Sequence, residues 1–257
     1  MSNKPNSTSF SLLESGAGGA AGVAGDVPDS TKQRHVLLRK CLAEFVGTFT
    51  LCSTVALAAG QGENLMAVAG MAIGIVLATQ VFAFGHVSGA HFNPAVTLAV
   101  LIRGKIDVVS ALCYAVTQVI ASFTAGGVIK IIVDDADDNH LIMSGYPNPH
   151  MNVHWCSVLF IEFFFTMVLC SVVLNVATTK AQEGNSFFGL AIGFVIAGAA
   201  MCGGGISGGA YNPAVGTGLP LVYGKGRWVW AYWVGPCLGA AAAAGLFKLT
   251  ADPSEFE

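Results

Sequence analysis

Six long apolar segments alternate with short polar stretches along this chain. Their approximate limits are Leu38–Ala59, Met66–Gly85, Val108–Val133, His154–Ala177, Phe187–Gly203 and Trp228–Leu249. A helix needs about 20 apolar residues, with a range of about 17–25, to cross a hydrocarbon core about 30 Å thick. The pattern therefore predicts an all-α membrane protein with six transmembrane helices.

Two shorter apolar segments lie between spans two and three and between spans five and six. They begin with the same four residues, Asn93-Pro94-Ala95-Val96 and Asn212-Pro213-Ala214-Val215. Asn is a preferred N-cap and Pro is favoured at the first helical position, so each copy predicts the start of a helix. Each segment ends within about ten residues, which reach only about half of the hydrocarbon core. The sequence thus predicts two half-spanning re-entrant helices and a polar path beside them.

The chain also contains an internal repeat, with its first copy at about 36–133 and its second at about 154–250. Glu44-Phe45 matches Glu162-Phe163, and the run Gly70–Gly74 matches Gly189–Gly193. Each copy holds three spans, which is an odd number, so the two copies cross the membrane in opposite senses. This is an inverted three-span repeat, and we expect function where its halves meet.

Composition narrows the class of protein. Hydrophobic residues make up 54% of the chain, charged residues 11%, and the net charge is −3. Soluble domains carry about 25% charged residues, so the lipid bilayer is the predicted environment. Nothing in the charge pattern predicts binding of nucleic acid.

Most Lys and Arg residues fall on one side of the six predicted spans. The positive-inside rule then predicts a multi-pass protein with both termini in the cytosol. The plasma membrane and the membrane of a vacuole-like organelle are both compatible with this orientation. Residues 1–35 are rich in Ser, Gly and Ala and predict a disordered tail. Residues 36–250 form the predicted membrane domain, and residues 251–257 form a short C-terminal tail.

Two segments resemble the signature loops of the aquaporins, also called major intrinsic proteins. They are His86–Thr97 and Ser207–Ala214, and Tyr232–Pro236 resembles the family's motif in the sixth span. The resemblance implies six tilted helices, two half-helices that meet end to end, and a homotetramer with one pore in each subunit. It implies passive transport of water and small neutral solutes, with no enzyme activity, no cofactor and no metal.

The resemblance gives the two Asn-Pro-Ala triplets the pore-centre role; they comprise Asn93, Pro94, Ala95, Asn212, Pro213 and Ala214. The positive ends of both half-helices would meet there and repel protons and cations. Each Asn would cap its helix through oxygen and offer its NH₂ group to the lumen. The alternative is that both Asn are helix caps only.

Two acidic residues, Glu44 and Glu162, lie inside predicted spans. The resemblance implies that they support the irregular backbone before each half-helix, and the alternative is a role in proton handling. His91 is predicted to support the first loop by packing, with gating by protonation as the alternative.

The selectivity filter implied by the resemblance comprises Ile73, Ala200, Gly209 and Val215. Most family members carry Arg where this chain has Val215, so the filter lacks a fixed cation and a forked donor. We predict an apolar filter that passes ammonia or urea as well as water, unless a nearby side chain or loop fills the gap. Gly216 and the pair Tyr232-Trp233 favour water over glycerol.

Two other functions are alternatives to a channel. A family member without transport activity could serve as a scaffold, for which the N-terminal tail would provide a binding segment. An intramembrane enzyme would use Glu44 or Glu162, but the sequence contains no HExxH motif to support it.

Overall fold

The computed structural model describes residues 29–60, 66–136 and 145–256. In these ranges the chain forms eight α-helices: α1 (Asp29–Ala59), α2 (Met66–Ser88), α3 (Pro94–Ile102), α4 (Val108–Ala136), α5 (Trp155–Ala177), α6 (Phe188–Ser207), α7 (Val215–Val222) and α8 (Val229–Thr250). Six of them are long and apolar enough to cross a membrane. The predicted all-α fold with six spans is confirmed.

The first helix begins earlier than the sequence predicts. α1 starts at Asp29, so residues 29–35 are helical, although they were assigned to the disordered tail. This segment includes Lys32, Gln33 and Arg34, which are good helix formers but too polar to register as part of an apolar span. The rest of the predicted tail, residues 1–28, lies outside the described residues.

The C-terminal tail is also folded. After α8 ends at Thr250, the chain forms a 3₁₀ turn at Pro253–Phe256, and Glu255 within it is buried. A second 3₁₀ turn, Lys180–Gln182, lies in the loop between α5 and α6.

The packing of the helices follows the inverted repeat. α1 packs on α4 and the equivalent α5 packs on α8, while α2 and its equivalent α6 pack on each other. At this last contact Gly74 and Gly193 face one another, and a Cβ built on either glycine would lie within 2.4 Å of the other's carbonyl oxygen. Only residues without a side chain allow the two repeats to approach this closely.

The two short helices cross between the repeats. α3, in the first repeat, packs on α8, and α7, in the second repeat, packs on α4. They are nine and eight residues long, which corresponds to about 12–14 Å at 1.5 Å per residue. Each therefore spans less than half of a hydrocarbon core about 30 Å thick, as predicted.

Irregular backbone leads into each short helix. Ala90, Phe92 and Tyr211 have φ of 50°, 50° and 47°, in the left-handed region that residues with a side chain seldom occupy. Non-helical backbone at membrane depth needs protein partners for its N–H and C=O groups.

Candidate functional site

The two asparagines lie where irregular backbone turns into a short helix. Asn93 is the N-cap of α3, and its Oδ1 accepts a hydrogen bond from the Ala95 N–H at 2.8 Å. Asn212 Oδ1 accepts from the N–H groups of Ala214 at 2.9 Å and Val215 at 3.4 Å. Both side chains therefore satisfy backbone donors that the first helical turn leaves free.

The same two side chains also link the repeats. Asn93 Nδ2 donates to the carbonyl oxygen of Tyr211 at 2.8 Å, and Asn212 Nδ2 donates to that of Phe92 at 2.9 Å. Each asparagine thus bonds the residue that precedes the other, and both amides are fixed in orientation. An NH₂ group carries two hydrogens, so each retains a second donor. The sequence predicts that the NH₂ groups face the lumen, but it does not indicate this reciprocal link between the repeats.

The carboxylate of Glu44 holds the first irregular loop. It accepts hydrogen bonds from the backbone N–H groups of His91 at 2.9 Å and Phe92 at 2.7 Å. Ser88 Oγ at 2.6 Å and Gln118 Nε2 at 2.8 Å also donate to it. Glu44 is fully buried, and four donors replace the water that its charge would otherwise require.

Glu162 does the same for the second loop. Its carboxylate accepts from the N–H groups of Ala210 at 3.0 Å and Tyr211 at 2.6 Å, and from Ser207 Oγ at 2.7 Å. The position equivalent to Gln118 is Pro236, which has no side-chain donor, so the second carboxylate has three partners rather than four. These contacts tie the backbone of both loops to the two carboxylates.

Three further residues belong to these networks and were not predicted as supports. Tyr114 Oη donates to the Ser88 carbonyl and Tyr232 Oη donates to the Ser207 carbonyl, both at 2.8 Å. Gln118 bridges Glu44 and Thr97. The two tyrosines occupy equivalent places in the repeat, and this spacing was the available signal.

The ring of His91 is held by Thr97. Thr97 Oγ1 donates its single proton to the Asn93 carbonyl at 3.0 Å and lies 3.1 Å from His91 Nδ1. When the hydroxyl oxygen accepts from Nδ1, the neutral ring carries its proton on Nδ1 and a free lone pair on Nε2. Packing against Tyr114 completes its surroundings.

A narrow cavity runs along the two asparagines. All four predicted filter residues line it, namely Ile73, Ala200, Gly209 and Val215. Asn93, Asn212, His91 and apolar side chains from several helices complete the lining. Pro94, Ala95, Pro213 and Ala214 do not line it. Pro94 and Ala95 are buried in the first turn of α3, whereas Pro213 and Ala214 are buried just before α7 begins. Among the described residues, the lining includes no Lys, Arg, Asp or Glu.

The size of this cavity suits a single file of small molecules. The volume open to the centres of water-sized molecules is about 40 Å³. One water needs about 10–15 Å³ on this measure, so the cavity has room for about three waters. At one end Ala90, Val173 and Ile192 also line a wider vestibule, so the two spaces adjoin.

Comparison with known proteins identifies the family. The family model described as major intrinsic protein matches residues 31–247. The chain is 34% identical to a glycerol uptake facilitator protein-like 6 of Lactiplantibacillus plantarum over 80% of this chain and 95% of the relative. It is 32% identical to nodulin-26 of Glycine max over 82% of this chain and 78% of the relative.

Other comparisons agree. Aquaporin NIP3-1 of Arabidopsis thaliana is 34% identical over 82% of this chain and 67% of that protein. An aquaglyceroporin structure from Plasmodium falciparum has the same fold, with a TM-score of 0.74 at 20% identity, covering 86% of this chain and 99% of that chain. One conclusion follows from the two half-helices of the inverted repeat, from the narrow cavity along their asparagines and from these relatives. The chain belongs to the major intrinsic protein family and is a membrane channel of the aquaporin type, for water or small solutes such as glycerol, not an enzyme.

Proposed function

We propose that this channel conducts water together with small neutral solutes such as ammonia and urea, and that it excludes ions and protons. The observation that carries the proposal is the apolar filter, in which Val215 occupies the position of the family's usual Arg. Val215 is 2% exposed and lies in the cavity lining with Ile73, Ala200 and Gly209.

Exclusion of ions rests on the centre of the cavity. Asn93 and Asn212 stand at the N-termini of α3 and α7, where the positive end of each helix is equivalent to about half an elementary charge. A cation that entered a lining without acidic side chains would lose hydration there with no compensation. The fixed amide donors would orient each water oxygen towards them and interrupt a continuous donor chain.

His91 complements these donors. In the tautomer with a proton on Nδ1, the lone pair on Nε2 makes it a hydrogen-bond acceptor in the same cavity lining as the two donors. A water or ammonia molecule passing the site could thus donate to His91 while accepting from an asparagine. This arrangement replaces part of the hydration that a small polar molecule loses on entering.

Selectivity among neutral solutes rests on the filter. An arginine would add a charge and a planar fork of donors at the narrowest part of the pore. Valine adds neither. A solute that is larger than water, or less able to match such a fork, therefore meets a lower barrier here than in a channel with arginine at this position. The electrostatic barrier to ions then depends on the pore centre at Asn93 and Asn212, without a contribution from the filter.

Glycerol is the second candidate solute. It is favoured by the similarity to a protein named as a glycerol uptake facilitator. Against it, Gly216 is packed on the Tyr232 side chain, with a built Cβ lying 2.3 Å from the tyrosine Cβ. This contact leaves no room at position 216 for the Asp that glycerol-conducting relatives typically carry. We therefore place water, ammonia and urea ahead of glycerol.

The assembly and orientation are part of the same proposal. We propose a homotetramer in which every subunit has its own pore, and both termini in the cytosol of the host cell. The excess of Lys and Arg on the side of the termini supports this orientation. The host membrane is the plasma membrane or the membrane of a vacuole-like organelle.

A solute panel on purified protein in liposomes tests the proposal. Stopped-flow light scattering would compare water, urea, ammonia and glycerol in vesicles with and without the protein. We expect water, ammonia and urea to pass faster than in protein-free vesicles, and glycerol to show the smallest gain. A gain for glycerol that exceeds those for urea and ammonia would contradict the proposed selectivity.

A further inference from the structure

The C-terminal turn is anchored to the end of the first half-helix. Arg103 directly follows α3, and its Nη2 donates to Glu255 twice, to the backbone oxygen at 3.0 Å and to the carboxylate at 3.1 Å. Both side chains are buried, with exposures of 4% and 6%. A buried ion pair between segments so far apart in sequence fixes their relative position.

The same carboxylate also holds the loop between α5 and α6. The second oxygen of Glu255 accepts from the backbone N–H of Lys180 at 2.8 Å. The Lys180 ammonium in turn donates to the carbonyl oxygen of Ser254. One acidic side chain therefore joins three parts of the molecule: the end of α3, the α5–α6 loop and the C-terminus.

Aromatic rings enclose this junction. The guanidinium of Arg103 lies 4.9 Å from the ring centre of Phe247 in α8 and 4.9 Å from that of Phe256. These faces exclude water and attract the cation. Removal of either charge would leave the other buried without its partner, so the junction depends on both.

The loop that Glu255 holds forms part of the channel mouth. Thr178, Thr179, Lys180 and residues 182–185 line the vestibule that adjoins the narrow cavity. His86 and Lys105 line the same vestibule. A loop at this place has space beside it and would cross the path of permeating molecules if it moved inwards.

We propose that residues 251–256 are a latch, the C-terminal latch, which holds the α5–α6 loop at the side of the vestibule and keeps the channel mouth open. The latch lies beyond residue 247, where the match to the family model ends. The inference rests on the proposed channel function for its effect on transport. Its structural part, the restraint on the loop, is independent of what the channel conducts.

The structural part is tested by hydrogen–deuterium exchange on the full-length protein. Glu255→Gln removes the charge but retains the shape of the side chain, and Arg103→Met is a second variant that removes the other charge. Loss of one hydrogen bond to a charged group should speed exchange of the amides in residues 178–187 by about tenfold. Asp134→Asn, which removes an exposed charge near the end of α4 and outside the vestibule lining, is the control and should leave exchange in this loop unchanged.

The transport part is tested on the same proteins in liposomes. Glu255→Gln and Arg103→Met should lose water permeability per channel, whereas Asp134→Asn should retain it. Exchange that stays at the wild-type rate in both latch variants would overturn the proposal, as would faster exchange with no loss of permeability. Wild-type protein that passes no water would instead contradict the proposed function, because the exchange result does not depend on conduction.

Discussion

Replacement of Glu44 by Gln tests how the irregular loop is supported. The two oxygens of Glu44 each accept one backbone N–H, from His91 on one side and from Phe92 on the other. Glutamine has one carboxamide oxygen and one NH₂ group. Whichever way it is oriented, one of the two backbone donors faces another donor and stays buried without a partner.

The cost follows from that count. A buried donor without a partner costs about 1–3 kcal/mol. For chains of 150–250 residues, each kcal/mol lowers the unfolding midpoint by about 2–4 °C, so we expect a shift on the order of 5 °C. Glu162→Gln should have an effect of similar size, because Ala210 and Tyr211 bond its two oxygens in the same way.

Thermal unfolding of the purified protein in detergent measures this effect. The control is Glu183→Gln, at an exposed position, where we expect a change within about 0.5 kcal/mol. Water permeability should fall together with stability in the Glu44 variant, because the carbonyl of Phe92 holds Asn212. An unfolding midpoint equal to that of the control would refute the assigned support.

Two further substitutions test the filter and the contact between repeats. Val215→Arg should slow urea and ammonia more than water, by about tenfold for each 1.4 kcal/mol of added barrier; stopped-flow rates that fall equally for all three solutes would contradict the apolar-filter proposal. Gly74→Ala should cost about 1–3 kcal/mol in thermal unfolding, since the new methyl group would overlap the Gly193 carbonyl. Gly127→Ala, in a helix with open space around the added methyl group, is its control and should show no such loss.

Much of the fold could be predicted because a membrane restricts the possible structures. Only helices satisfy their own backbone groups in lipid, so long apolar segments predict spans directly. The repeated Asn-Pro pair marked the starts of both short helices. Residues 29–35 and 253–256 were missed because hydropathy identifies the apolar part of a helix and not its polar extension or a turn packed on its end.

The site was predicted less completely. The role of an acidic residue in a span could be predicted, but its backbone donors lie in loops 47 to 49 positions away. Their contacts depend on left-handed backbone at Phe92 and Tyr211. The reciprocal bonds of the two asparagines span 118 and 120 positions. No local pattern specifies which atoms meet across such distances, although the repeat indicates which residues are equivalent.

The central claim is that the amides of Asn93 and Asn212 serve a single file of water molecules through the bilayer. The most direct test measures osmotic water flow at several temperatures in liposomes that contain the wild-type protein, with a pH-sensitive dye inside to report proton entry. We predict fast water flow with a low activation energy and no proton entry above that of protein-free vesicles. Water flow no faster than in protein-free vesicles, or proton entry that accompanies it, would contradict the account.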